Sequence, residues 1–198
     1  DRSRGLGDVY KRQVYILTLE SAAEMERAFG IPSIADHYTQ IASAIRGTIR
    51  EKYWDATRGL FADTYDHRSF SQHVNSLAIL AGIVTGEEAT RVMERTLNDS
   101  SLIQATIYFR YYVHQALKVA GMGDHLLDNL QIWRDQMALG LTTWAEMPEP
   151  TRSDCHAWGA SPNIEFFRIL LGIDSNAPGF KSIRIAPSLG DLKEVSGT

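Results

Sequence analysis

Cysteine is nearly absent: the 198-residue chain has one, Cys155, which excludes an internal disulfide framework. With no second cysteine and no H-x-x-x-H pair, the three or four ligands of a zinc site are also missing, and no metal or cofactor is expected. No apolar run is long enough to span a bilayer. Basic charge is not in excess either. Twenty Lys and Arg stand against 24 Asp and Glu, a net charge of −4, whereas a nucleic-acid partner calls for a basic face. The 15 glycines never gather into a phosphate loop, and neither G-x-S-x-G nor a dinucleotide fingerprint occurs. Most nucleotide and acyl-transfer chemistry is thereby removed. No 30–50-residue repeat of the solenoid kind is visible either.

What is present is a helical chain. From Val14, Ile16, Leu19, Ala23 and Phe29 form an apolar stripe closed by Gly30 and Pro32. Ser33 is placed to cap a second helix carrying Ile34, Tyr38, Ile41, Ala42, Ile45 and Ile49. Residues 54–70 read as a connector with a small hairpin around Leu60-Phe61. Further helices are predicted from about Ser71 to Thr85, from a Thr85/Glu88 capping box to Leu97, from about Gln104 to Ala120, and from Asp124 to Gly140. Another opens at Ser161-Pro162 with Phe166, Phe167, Leu170 and Leu171 and ends at Gly172, unless Pro162 kinks a longer one. After Pro178-Gly179 the period changes to alternation, and Phe180, Ile183 and Ile185 read as a strand. Successive helices joined by short turns suit hairpins around a common axis, though a bundle or an array fits the pattern too. The first thirteen residues are basic, lack an apolar period and resemble adapter-derived read-through. They are expected to be a leader foreign to the fold, with part of the parent protein lying upstream.

The stretch from Leu141 to Pro162, LTTWAEMPEPTRSDCHAWGASP, has few aliphatic side chains but two tryptophans, a histidine and several acids. A long segment that cannot be held by core burial is usually a functional loop. Glu146 and Glu149 flank Pro148, with Trp144 just ahead. Glycoside hydrolysis needs carboxyl groups across the sugar and apolar rings beneath it. The alternative is structural: Glu146 caps a helix or pairs with Arg152. Cys155 and His156 are neighbours, and a Cys–His dyad forms across a fold rather than between neighbours, so Cys155 reads as structural. His156 reads as a hydrogen-bonding residue, to a sugar hydroxyl or to backbone. Tyr108 to Tyr112 puts four rings around Arg110, either as core packing with Arg110 held by a carboxylate or as one edge of a sugar pocket. His73 reads as a core histidine, and Glu87-Glu88 as a helix N-terminus favoured by the dipole.

Several of these segments together resemble bacterial α-L-rhamnosidases of glycoside hydrolase family 78. The most specific is Gly140 to Glu146 followed by Asp154 to Ser161. The family pattern is a threonine pair, two residues and the catalytic glutamate, then a histidine with a serine five residues on. Thr142, Thr143 and Glu146 keep the first spacing, and His156 with Ser161 keeps the second. Ser71 to Gly82 (SQHVNSLAILAG), Tyr108 to Gly121 (YFRYYVHQALKVAG) and Pro178 to Leu192 (PGFKSIRIAPSLGDL) add to it. The family usually has tryptophan directly before the glutamate; here Ala145 stands there and Trp144 lies one earlier.

The resemblance implies a mainly α fold, a partial (α/α)6 barrel of six-hairpin glycosidase type, over residues 14–174. Residues 175–198 would begin a C-terminal β-sandwich domain. It also implies inverting hydrolysis of a rhamnose-containing oligosaccharide or glycoside, in a periplasmic or secreted bacterial protein. Glu146 would be the general base, and Trp144, His156, Trp158 and Tyr108 would contact the sugar. The general acid would lie upstream of this chain, roughly 6.5–9.5 Å from the base in the assembled site. Two rival classes stand beside it: a non-catalytic helical toroid that binds glycans or a partner, and another (α/α)6-barrel sugar hydrolase or lyase.

Overall fold

The structure is a computed structural model that describes residues 8–148 and 150–197. The chain divides into two compact units, Asp1–Gln104 and Ala105–Thr198. No described helix is long and apolar enough to cross a membrane.

The first unit is built on two long helices, α1 (Asp8–Phe29) and α2 (Pro32–Tyr53). Only Gly30 and Ile31 separate them, so they run antiparallel and pack along their length. Ile16, Leu19 and Ala23 of α1 are buried as their spacing predicts, but Phe29 is 90% exposed. The helix begins at Asp8, six residues before the predicted start, and Val9 and Gln13 are fully buried. Gln13 Nε2 donates to Val74 O at 2.9 Å. In α2 Ala35, Ala42 and Ile49 bury completely at a seven-residue interval, with Ile34, Tyr38, Ile41 and Ile45 half-buried beside them. Its N-cap is Ile31 rather than Ser33, because Pro32 is already the first helical residue. Proline suits that position, where its missing N–H would be unbonded in any case.

β1 (Trp54–Asp55) and β2 (Leu60–Phe61) form the small antiparallel hairpin predicted in the connector. α3 (Gln72–Leu80) is capped by Ser71, whose Oγ accepts Val74 N–H at 3.2 Å. Beneath it Asp63 is fully buried and accepts from Ser69 Oγ at 2.7 Å and Ser71 Oγ at 2.6 Å. Desolvation raises its pKa above the usual carboxylate value, and the two hydroxyls oppose that rise. His73 is buried, and burial lowers its pKa to about 4, so it is neutral at physiological pH, as a core histidine should be.

α4 (Gly86–Asn98) starts where the Thr85/Glu88 pattern predicts, but the capping box does not form. Glu88 is held instead by Arg50 of α2, in a two-point fork at 2.9 and 2.6 Å. A charge-assisted bidentate pair outcompetes the reach back to a neutral N–H.

The second unit contains α5 (Ile107–Val119), α6 (Gln131–Ala138) and the single turn α7 (Pro162–Glu165), which passes into a π-helical turn at Phe166–Leu170. Its core gathers Ile107, Leu126, Leu130, Trp133, Ile169 and Leu170. Asp124 does not cap the α6 region; its carboxylate accepts Gly190 N–H at 2.9 Å, and two 3-10 turns precede α6. Of the stripe Leu126, Leu130, Trp133 and Met137, the last is 63% exposed, because the chain enters α6 only at Gln131. The π turn likewise shifts the register after Pro162, so Ile169 and Leu170 face inward while Phe166 and Phe167 stay partly exposed.

The alternating segment does form a strand, β4 (Ile183–Ile185), and its partner lies within the chain: β3 (Ile173–Ser175), antiparallel, with Ile173 opposite Ile185. Two three-residue strands are marginal alone. This pair is anchored through Asp174, which accepts from Lys118 Nζ of α5 at 2.8 Å and from Arg168 at 3.2 Å. The Lys118 bond, with the two cations, holds the Asp174 carboxyl below its usual pKa. Gly172 makes the turn into β3 at φ +64°, where a Cβ would stand 1.9 Å from Ala186 O. Gly172→Ala should therefore lose about 1–2 kcal/mol from the left-handed backbone alone, with more from the displaced carbonyl. Thermal denaturation followed by circular dichroism measures it, and an unchanged midpoint would contradict the close approach.

Candidate active site

The loop that follows α6 starts from a tight helix ending. Gly140, at φ +82°, donates to Met137 O at 2.9 Å, and Leu141 N–H donates to Gln136 O at 3.2 Å. Gln136 is itself buried, and its Oε1 accepts Ala145 N–H at 2.9 Å. That bond pins the residue just before the candidate base, and Ala145 is 2% exposed. Its side chain is enclosed as well, so a tryptophan here would need room that the neighbouring residues now fill.

From there the loop folds back on itself. His156 N–H donates to Trp144 O at 2.7 Å and Glu146 N–H to Ser153 O at 2.9 Å. Thr143 Oγ1 donates to Asp154 O at 2.5 Å. Residues 143–146 and 153–156 are thus two arms of an irregular hairpin, with Trp144 and Glu146 on one and Ser153 and His156 on the other. The threonine pair contributes through Thr143, which ties the arms, while both threonine side chains remain exposed.

Glu146 is 9% exposed and its carboxylate is gripped by Arg152. Arg152 Nε donates to Oε2 at 3.0 Å, and Nη2 donates to Oε1. The structural alternative weighed for Glu146, a pair with Arg152, is therefore present in the fold. A carboxylate held in a two-point fork is fixed in orientation, which is compatible with a base as well as with a clasp. Glu149, the rival glutamate, lies outside the described residues.

Beyond His156 a 3-10 turn, Ala157–Ala160, presents Trp158 at 43% exposure. The His156 and Trp158 rings lie 4.4 Å apart, and Trp158 meets Tyr108 of α5 edge-on at 5.6 Å. Tyr108, 49% exposed, in turn meets Tyr112 at 6.3 Å. His156, Trp158 and Tyr108 therefore form one aromatic edge. Trp144 is placed differently: it packs against the apolar core and backs onto Gly159, where a Cβ would lie 2.6 Å from Trp144 Cβ. Trp133 Nε1 donates to Gly159 O at 2.6 Å, fixing the turn from beneath.

Two polar atoms along this edge are buried without a hydrogen-bond partner among the described residues, His156 Nδ1 and Ser161 Oγ. Buried polar atoms are normally satisfied, so an unsatisfied pair invites a ligand hydroxyl. Those two are the histidine and serine of the family spacing. Arg110 Nε is also buried with no partner among the described residues. Burial lowers its pKa. Cys155 is free and exposed, and no group of three or more His, Cys, Asp and Glu side chains converges among the described residues.

No protein-family model matches the chain, and no curated protein matches it. Solved structures do. A glycoside hydrolase family 78 rhamnosidase of Bacillus sp. GL1 matches with a TM-score of 0.78 at 25% identity, over 89% of this chain and 20% of that one. A rhamnosidase from Klebsiella oxytoca with rhamnose bound matches with a TM-score of 0.72 at 21% identity, over 81% of this chain and 33% of that one. The chain thus spans a fifth to a third of the length of these structures. Its helices are those of a partial α/α barrel with a short β addition. The sequence resemblance to family 78 α-L-rhamnosidases is a resemblance of fold as well.

Proposed function

We propose that the chain is part of an inverting glycoside hydrolase acting on terminal α-L-rhamnosides, with Glu146 as general base. The observation that carries this reading is the pairing of the loop arms. A nearly buried Glu146, forked by Arg152, lies on one arm, and the other carries His156, whose Nδ1 has no partner among the described residues, beside the half-exposed Trp158 and Tyr108 rings. In the proposed step Glu146 takes a proton from water as the water oxygen bonds to the anomeric carbon. The bond to the leaving oxygen breaks on the opposite face, and that oxygen is protonated by an acid from another part of the parent protein. His156 and Ser161 would bind sugar hydroxyls, Trp158 and Tyr108 would form the apolar wall, and Trp144 would support that wall from the core. Residues 14–174 then belong to the catalytic helical domain, and residues 175–198 begin a β-domain.

The second reading is a non-catalytic glycan-binding module, favoured by Arg152 occupying both oxygens of Glu146. One experiment separates them. The full-length protein is incubated with an aryl α-L-rhamnoside and followed by proton NMR. Appearance of β-L-rhamnose before the α-anomer is expected. α-Rhamnose first would contradict inversion, an unsaturated product would identify a lyase, and saturable binding without product would support the binding module.

A further inference from the structure

We infer that Arg152 is a positioning residue for Glu146, an inference that rests on Glu146 being the general base. The two side chains are six residues apart, Glu146 on one arm of the loop and Arg152 directly before the other, and meet through two separate nitrogens on two separate oxygens. A carboxylate offers about four lone-pair sites, and this fork takes one on each oxygen, leaving one on each for other donors. One of the remaining sites serves the attacking water. A single-point ammonium contact would leave the carboxylate free to rotate about its last bond. The planar fork fixes its plane.

Exposure divides the work between the partners. The Glu146 side chain is 9% exposed and that of Arg152 is 51% exposed. The arginine therefore brings a countercharge to a nearly buried carboxylate while keeping its own head hydrated, so little desolvation opposes the pair. The arm that carries it is stiffened locally: Thr151 Oγ1 donates to Ser153 O at 3.0 Å, and Ser153 O also receives Glu146 N–H at 2.9 Å. Backbone and side chain of Glu146 are thus held by neighbouring residues of one short segment, 151–153.

The gain assigned to Arg152 is one of geometry: the fork keeps the plane of the carboxylate in place. Misplacing a reacting group by about 1 Å can cost on the order of 10²-fold in rate.

The test uses the full-length protein with an aryl α-L-rhamnoside, and the variants Arg152→Ala, Arg152→Lys and Glu146→Gln. Arg152→Ala should lower kcat by about 10–10²-fold with KM changed by no more than about threefold, the pattern of a lost transition-state interaction. Arg152→Lys should stay close to Arg152→Ala, since it restores charge without the fork. Guanidinium chloride at non-denaturing concentration should recover part of the activity of Arg152→Ala and none of that of Glu146→Gln. Unchanged kcat in Arg152→Ala, full activity in Arg152→Lys, or a loss confined to KM would each overturn the inference. If Arg152→Ala fails to fold, as judged by its melt, Arg152→Lys decides alone. Normal turnover in Glu146→Gln would instead remove the general base itself, whatever Arg152 does. An inactive Glu146→Gln beside a fully active Arg152→Ala would remove only the role of the arginine.

Discussion

Glu146→Gln in the full-length protein should lower turnover by roughly 10²–10⁴-fold, the usual scale of general-base loss, while binding of an α-L-rhamnoside largely persists. The substitution suits the local geometry. Glutamine keeps the volume of a side chain that is only 9% exposed, and its amide oxygen can still accept from Arg152. The backbone bond from residue 146 to Ser153 O does not depend on the side chain. What disappears is the anionic oxygen that accepts a proton from water. The loss should therefore appear in kcat, with the dissociation constant of the glycoside little changed when measured directly by calorimetry. Near-normal turnover would sink the assignment. A glycan affinity lost together with turnover would point to Glu146 as a sugar-binding or loop-closing residue instead.

The loop that holds Glu146 is legible in the sequence, because its composition cannot be explained by core burial. The spacing from Thr143 to Glu146 and from His156 to Ser161 survives as a physical arrangement: a tie between loop arms, and two buried polar atoms without a partner among the described residues. The partner of Glu146 was legible only as one of two readings. Arg152 is near in sequence, yet whether a flexible loop brings it to the carboxylate depends on the backbone bonds between the arms. Ala145 shows the same limit. Its departure from the family pattern is visible in the sequence, but the burial of its side chain and the bond from its N–H to Gln136, nine residues earlier, are tertiary.

Helix existence followed from periodicity, and helix ends did not always follow from cap motifs. Thr85 and Glu88 have the spacing of a capping box, but Arg50, 38 residues away, takes the glutamate. Strand β3 has no signal at all. Ile-Asp-Ser is too short to show alternation, and only the register with Ile183–Ile185 makes it a strand. The aromatic helix α5 displays its Tyr108 edge in sequence, because rings at i and i+4 share a face. Its most constrained member, His114, gives no such sign.

His114→Ala should lower stability by about 3–5 kcal/mol, the cost of removing one partner from a buried ionisable pair. His114 Nδ1 and Glu165 Oε2 share a hydrogen bond of 2.6 Å, and both side chains are 0% exposed. Glu165 Oε1 has no hydrogen-bond partner among the described residues, so after truncation the carboxyl group would be left in an apolar site without a donor. The pair joins α5 to α7, 51 residues apart, directly after the turn that presents Trp158. The His114 ring also lies 5.7 Å from Trp133, whose indole N–H holds Gly159 O. Glu165→Gln should cost far less, on the order of 1 kcal/mol, because the amide can still bond the imidazole. The asymmetry between the two variants is the discriminating measurement, made by denaturant titration followed by far-ultraviolet circular dichroism. Equal and small losses would mean that the pair contributes packing alone. A large loss in His114→Ala, with dissociation of the Trp158 turn seen as a red-shifted tryptophan emission, would tie the aromatic edge of the candidate site to this one buried contact.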